Sequence, residues 1–108
     1  MAAHNVIRDL THSVGVAAVA RELTEIAGYS ERKYNLMNIM DVANAVTYLT
    51  EEGLYRSGMK KDRVTRTLRG MAENKCIDGE IVKLANENFP RINAARIRAQ
   101  KEARSVYC

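Results

Sequence analysis

Asp41 is the residue whose type and position most clearly require a chemical explanation. It lies within the stretch NLMNIMDVANAVTYL, Asn35–Leu49, which is almost entirely apolar. Burial of an unpaired carboxylate is costly, so three interpretations are open. Asp41 binds a metal ion, it is a buried acid paired with a neighbouring His, Arg or Tyr, or it faces solvent from the polar side of a helix.

His12 is the histidine best placed to pair with that carboxylate. The chain has two histidines, and the other one, His4, lies near the N-terminus. A hydrogen bond between His12 and Asp41 would satisfy a buried acid, and it is the specific contact that we expect.

Five helices are predicted to position these residues, because apolar side chains recur at helical spacing and no segment alternates as a strand would. In chain order they are Asn5–Ala27 followed by Gly28, a helix capped by Ser30 and ended by Thr50 to Gly53, a helix from about Lys60 to Asn74, a helix capped by Asp78, and a helix with Pro90 in its first turn. The predicted fold class is therefore all-α, a five-helix single domain over residues 1–108.

The second helix is expected to form the centre of the core through one wide apolar face. This face consists of Leu36, Ile39, Met40, Ala43 and Val46. The five methionines, among them Met37, Met40 and Met71, and the cysteine Cys76 are also expected in the core.

The fifth helix carries a narrow stripe of mostly alanines, and we expect this stripe to pack closely against one neighbour. Its basic side chains are expected on the remaining, solvated surface. The stripe is Ile92, Ala95, Ala99 and Ala103, and the basic residues are Arg91, Arg96, Arg98, Lys101 and Arg104.

Charge and cysteine content set broad limits on function. The net charge is +4 and the isoelectric point about 9.3, which permits a nucleic-acid partner without requiring one. The chain contains no CxxC pair and no signal peptide, and its longest apolar run, Val14–Ala20, is too short to cross a membrane. We therefore expect a cytoplasmic protein with no membrane partner.

Four segments together resemble an HD-GYP domain, a member of the HD superfamily of all-helical, metal-dependent phosphodiesterases. The segments are THSVGVAAVARELTEIAGYSERK (Thr11–Lys33), DVANAVT (Asp41–Thr47), LYRSGM (Leu54–Met59) and CIDGEIV (Cys76–Val82). By this resemblance His12 takes the place of the family's first metal-binding histidine, and Asp41 that of its last metal-binding aspartate.

The resemblance also implies a role for the loop segment LYRSGM. The corresponding family segment pins its loop, so Tyr55 and Arg56 are expected to fold back in the same way. The functional alternative is that Arg56 contacts an anion.

The chain departs from the family pattern where the chemistry would be performed. The middle of the family domain is missing, no His-Asp pair is present, and Asn44 stands where the family has a second aspartate. A binuclear site needs several ligands to fix its metals and to lower the pKa of a bridging water. His12 and Asp41 alone do not supply them, so the resemblance implies a shortened scaffold without hydrolytic activity, and no cofactor is expected.

Three functions follow as hypotheses. The first is a catalytically inactive, HD-GYP-like interaction module that binds a protein partner or forms a homodimer. The second is a metal-dependent phosphodiesterase of the cyclic di-GMP type, with iron, manganese or zinc held by His12 and Asp41 from two subunits. The third is a nucleic-acid-binding protein that uses its basic helices.

Overall fold

The computed structural model describes residues 2–28, 34–52 and 57–107. These residues form five helices and no strand, which confirms the all-α prediction. The helices are α1 (Ala2–Ala27), α2 (Leu36–Thr50), α3 (Lys61–Glu73), α4 (Gly79–Glu87) and α5 (Phe89–Tyr107). No helix in the described ranges combines the length and the hydropathy that a membrane span needs.

Two helix starts are fixed by side-chain caps. The cap predicted for the second helix, Ser30, lies outside the described residues, and α2 instead begins after Asn35, whose side-chain oxygen accepts the Met37 amide at 2.7 Å. The cap predicted for α4 is confirmed, because Asp78 accepts two amides of the first turn at 2.9 and 3.0 Å. Such caps satisfy backbone donors that have no partner inside the helix.

The longest helix, α1, is the central element, and α2 and α5 pack along it in the antiparallel direction. At the start of α5, Arg91 donates to Glu22 at 2.7 Å and to Glu25 at 3.0 Å, both near the end of α1. Further along α5, Gln100 donates to the Thr11 carbonyl, which lies eleven residues before Glu22 in α1. The stripe predicted on α5 thus faces α1, with Ile92, Ala95 and Ala103 buried.

The core is made of branched aliphatic side chains from the first four helices and the start of α5. Helices α3 and α4 pack against each other and cover one side of α1 and α2. The largest apolar side chains with no exposed surface, or almost none, are Val19, Leu23, Val42, Val46, Val64, Leu68, Ile81 and Ile92. Their burial is the main favourable contribution to folding.

One glycine allows three helices to meet. A Cβ added at Gly15 of α1 would lie 2.5 Å from Gln100 Nε2 of α5 and 3.0 Å from Thr47 Cγ2 of α2. Gly15 itself is buried. The absence of a side chain at this position therefore sets how closely α2 and α5 approach α1.

The expectation that Cys76 is a core residue is wrong. Cys76 is exposed in the turn between α3 and α4. Its amide donates to the Met71 carbonyl at 2.9 Å, and the preceding residue, Lys75, has a left-handed backbone with φ of 60°. This pattern is a Schellman motif, and it turns the chain outward at Cys76.

Candidate functional site

One side of α2 packs on the core and the other side faces solvent. The solvent side, here called the outer face of α2, consists of Leu36, Met37, Met40, Asp41, Asn44 and Tyr48. Its large apolar members are substantially exposed, Met37 at 69%, Leu36 at 63% and Tyr48 at 57%. The prediction that Leu36, Met37 and Met40 belong to the core is therefore wrong. The reason is that α2 packs on the core through its other side, which contains the buried residues Ile39, Val42, Ala43, Val46 and Leu49.

Asp41 lies on this outer face and is exposed. Within the described ranges no partner for its carboxylate is present, and it is the one charged residue in the sequence of α2. Of the three interpretations of Asp41, the geometry matches the solvent-facing one. The expected contact between His12 and Asp41 is wrong, because both ring nitrogens of His12 bind other residues.

His12 joins α1 to one residue of α2, Asn44, and to the C-terminal cap of α2, Glu51. Its Nδ1 lies 2.5 Å from Glu51 Oε1, and its Nε2 lies 2.9 Å from Asn44 Oδ1. Both partners are acceptor oxygens in this arrangement, so both ring nitrogens must carry hydrogen, as they do in the imidazolium form. His12 and Glu51 therefore form an ion pair that fixes the C-terminal end of α2 on α1.

Helix α5 extends this cluster with two buried polar side chains. Gln100, only 1% exposed, donates from Nε2 to Glu51 Oε2 at 2.9 Å and to the Thr11 carbonyl at 3.2 Å. Its Oε1 accepts a hydrogen bond from Arg96 Nη1 at 2.7 Å. The Gln100 side chain therefore has three partners, and the polar cluster connects α1, α2 and α5.

Arg96 corrects the expectation that the basic residues of α5 lie on its solvated side. It is 8% exposed, and its Nε donates to Asn93 Oδ1 at 3.0 Å. Burial lowers the pKa of Arg96 below its ordinary value, and the nearby carboxylate of Glu51 opposes that shift. The guanidinium stays charged at neutral pH, and its desolvation is offset by the carboxylate and amide oxygens around it.

Opposing effects determine the charge on His12. Burial, the largest single influence, lowers its pKa. Hydrogen bonds to Asn44 and Glu51, together with the charges of Glu51 and Asp9, outweigh burial, so the pKa of His12 is raised above 6.5. The shift favours the imidazolium that the two acceptor oxygens require.

The residues do not fit a metal centre within one chain. Across the described ranges, no group of three or more His, Cys, Asp or Glu side chains is arranged to hold a metal ion. A site shared between two subunits would have to displace Glu51 and Asn44 from His12 before its ring nitrogens could bind a metal. Arg56, the predicted anion contact, lies outside the described residues, as does Tyr55.

The basic surface is smaller than the sequence suggests. Arg91 is paired with two carboxylates of α1, and Arg96 is buried. A shallow groove between α3 and α4 is lined by the cations Arg69 and Lys83 but also by the acids Glu73 and Glu87. Opposite charges in the same groove reduce its attraction for a phosphate backbone.

The sequence analysis singled out His12 but not the other residues that build the polar cluster. Arg96 and Gln100 stand four and eight positions after Ile92, beside the alanine stripe, and this helical spacing is a signal that could have placed them on the buried side. Glu51 has no such signal. Its contact with His12 depends on how far α2 extends along α1, which spacing within either helix does not determine.

No family model matches the chain, and the searches of curated proteins and of solved structures found no significant match. The resemblance to an HD-GYP domain, and the cyclic di-GMP chemistry that it implies, therefore stay predictions from the sequence.

Proposed function

We propose that this chain is a helical interaction module that acts through the outer face of α2, and that its partner is a second copy of itself. The observation that carries the proposal is the exposure of Leu36, Met37 and Tyr48 on one side of one helix. Isolated exposed apolar residues are ordinary, but a cluster of large ones on a single face is typical of a protein-binding surface.

The outer face is held in place before any partner arrives. The opposite side of α2 is packed in the core, and Asn44 is fixed by His12 from α1. A preorganised surface loses little conformational entropy on binding. The two methionines add adaptable, polarisable contacts, which favour binding to another apolar helix.

The charge on α2 favours a second copy over an unrelated charged partner. The helix has one acidic residue, Asp41, and no basic residue. An acidic or basic partner would find little to pair with, whereas two outer faces brought together bury mainly apolar surface. Closed two-fold assemblies are the commonest oligomers. A contact built on one helix is small, so we expect a weak dimer with a dissociation constant in the micromolar range.

The proposal also agrees with the resemblance in the sequence. The middle of an HD-GYP domain, which this chain lacks, contains helices that would cover the second helix. In a shortened scaffold that surface is left for another partner, and the scaffold acts by association without hydrolysis.

Sedimentation velocity over a concentration series tests the proposal, with Met37→Gln as the disrupting variant and Ile97→Gln as the matched control. Ile97 is also a large exposed apolar residue, but it lies on α5. The wild-type chain and the Ile97→Gln variant are expected to dimerise with rising concentration, and Met37→Gln to stay monomeric. A wild-type monomer at all concentrations, or equal loss in both variants, would overturn the proposal.

A further inference from the structure

We infer that two copies pair their α2 helices in the antiparallel direction, with Asp41 of each copy hydrogen-bonded to Asn44 of the other. The inference rests on the proposed function, and it assigns Asp41 and Asn44 as the residues that set the register and specificity of the contact.

The spacing of the outer face supports this register. Met37, Asp41, Asn44 and Tyr48 follow one another at intervals of four, three and four residues, which is the spacing of the seam between two packed helices. When a second copy runs in the opposite direction about the centre of this seam, Met37 faces Tyr48 and Asp41 faces Asn44. Both pairings share one centre, so a single two-fold axis satisfies them together.

The polar pair is complementary because His12 orients Asn44. The Asn44 Oδ1 accepts the hydrogen bond from His12 Nε2 at 2.9 Å, so its amide nitrogen is the atom left for a partner. No acceptor for that nitrogen is present among the described residues, and Asn44 is exposed. A carboxylate is the acceptor that an amide N–H group binds most strongly, and Asp41 presents one on the same face.

The outer pair is complementary in a different way. Met37 offers a flexible thioether and Tyr48 an aromatic ring, and sulfur–aromatic contacts of this kind are favourable. Met40 and Leu36 lie at the edge of the seam and exclude water from its centre. The antiparallel contact therefore has two hydrogen-bonded polar pairs at its centre, and an apolar pair at each end.

A parallel pairing of the same faces is disfavoured by charge. In that arrangement each residue meets its own counterpart, so the two Asp41 carboxylates would face each other. Like charges in direct contact are destabilising, and each Asn44 amide nitrogen would face a neutral amide oxygen, which is a weaker acceptor than a carboxylate. The sequence of α2 thus selects the antiparallel direction.

A charge exchange tests this register. Asn44→Asp places two carboxylates opposite each other in each polar pair and is expected to weaken dimerisation at least about tenfold. Asp41→Lys removes both hydrogen bonds and is expected to weaken it by a similar factor. The double variant Asp41→Lys/Asn44→Asp restores opposite charges across the antiparallel contact, and its dimerisation should return to within a few-fold of wild type.

The double variant distinguishes the two directions, because in a parallel pair it would place lysine against lysine and aspartate against aspartate. The variants keep the hydrogen bond between position 44 and His12, since an aspartate at position 44 still accepts from the imidazole. Circular dichroism of each variant checks that the helices are intact.

Disulfide trapping gives an independent measurement of direction, in a background with Cys76→Ser and Cys108→Ser. Met37→Cys alone should not cross-link, because an antiparallel pair separates the two positions by roughly 16 Å along the helix, beyond disulfide reach. Met37→Cys/Tyr48→Cys should cross-link. The register is overturned if Met37→Cys alone forms a disulfide, or if the charge-exchanged double variant does not restore dimerisation. In either case the proposed function still stands provided that the wild-type chain dimerises. A wild-type monomer overturns both.

Discussion

Helices α2 and α5 contrast in what their sequences suggest and in where their side chains lie. The sequence of α2 is apolar on nearly every side, yet its outer face leaves Met37 and Tyr48 exposed. The sequence of α5 is rich in arginine and alanine, yet Arg96 and Gln100 are buried against α1. The apolar helix α2 thus exposes large apolar side chains, and the polar helix α5 buries polar ones.

The contrast shows that burial is decided by how many neighbours a helix has and where they pack. Small alanines on α5 and Gly15 on α1 allow close approach, so the polar side chains beside the stripe are enclosed together with it. Their burial is tolerated because Arg96 and Gln100 are both hydrogen-bonded. On α2 the inner face packs on the core, and Leu36, Met37 and Tyr48 of the outer face stay exposed.

The largest expected effect lies on the polar helix. Gln100→Ala removes a fully buried side chain together with its hydrogen bonds to Arg96 Nη1, Glu51 Oε2 and the Thr11 carbonyl. The free energy of unfolding should fall by about 3 kcal/mol in urea denaturation. Lys101→Ala, at the exposed neighbouring position, should change it by less than about 0.5 kcal/mol. Equal effects of the two substitutions would show that the buried cluster does not stabilise the fold.

The next effect concerns the close approach of the three helices. Gly15→Ala forces a methyl group against Gln100 and Thr47, and should lower the free energy of unfolding by about 2 kcal/mol. Gly70→Ala is the matched control in α3, where an added Cβ meets nothing within 4 Å. That substitution should stabilise the protein by about 0.5–1 kcal/mol, because alanine favours helix more than glycine does. Thermal unfolding of both variants measures the difference.

A smaller effect is expected from the protonation of His12. Its pKa is raised in the folded protein, so the imidazolium contributes stability that is fully present below the unfolded pKa of about 6.5. This contribution is lost as the pH rises through the folded pKa. In urea denaturation, the free energy of unfolding of wild type should fall as the pH rises through the folded pKa of His12. The His12→Gln variant should not show this decrease. If His12→Gln unfolds with the same pH dependence as wild type, another titrating group causes that dependence.

The smallest effect on stability is expected on the apolar helix. Met37→Gln exchanges one exposed side chain for another of similar length, so the free energy of unfolding should change by less than about 0.5 kcal/mol. The measurement belongs at the lowest practical protein concentration, since dimerisation adds apparent stability. A loss of 2 kcal/mol or more would place Met37 in the core and remove the contrast between the two helices.

The sequence was informative where the determinants are local. Helical spacing predicted five helices, and Asp78 was recognised as a cap because a cap acts within its own first turn. The alanine stripe of α5 was predicted to face one neighbour for a similar reason. The sequence indicates an earlier start for α2 than the structure has, because Ser30 and Asn35 are both residue types that cap helices.

The sequence was not informative where the outcome depends on packing between distant segments. His12 pairs with Glu51, which lies 39 positions away, because the C-terminal end of α2 meets α1 there. Asp41 was expected near His12, but it stands on the outer face, and Asn44, one turn later, is the residue that His12 binds. Which side of an apolar helix is covered depends on its neighbours, and no pattern within α2 specifies them.

Methyl NMR of methionine tests the central claim most directly, because the chain provides its own controls. Met37 and Met40 lie on the outer face of α2, whereas Met59 and Met71 are partly buried elsewhere. With isotope-labelled methionine methyl groups, we predict that the Met37 and Met40 signals shift as the protein concentration rises, and that those of Met59 and Met71 stay in place. Two results would contradict the account. One is that the chain dimerises while the Met37 and Met40 signals stay unchanged, and the other is that these signals stay unchanged because the chain never dimerises.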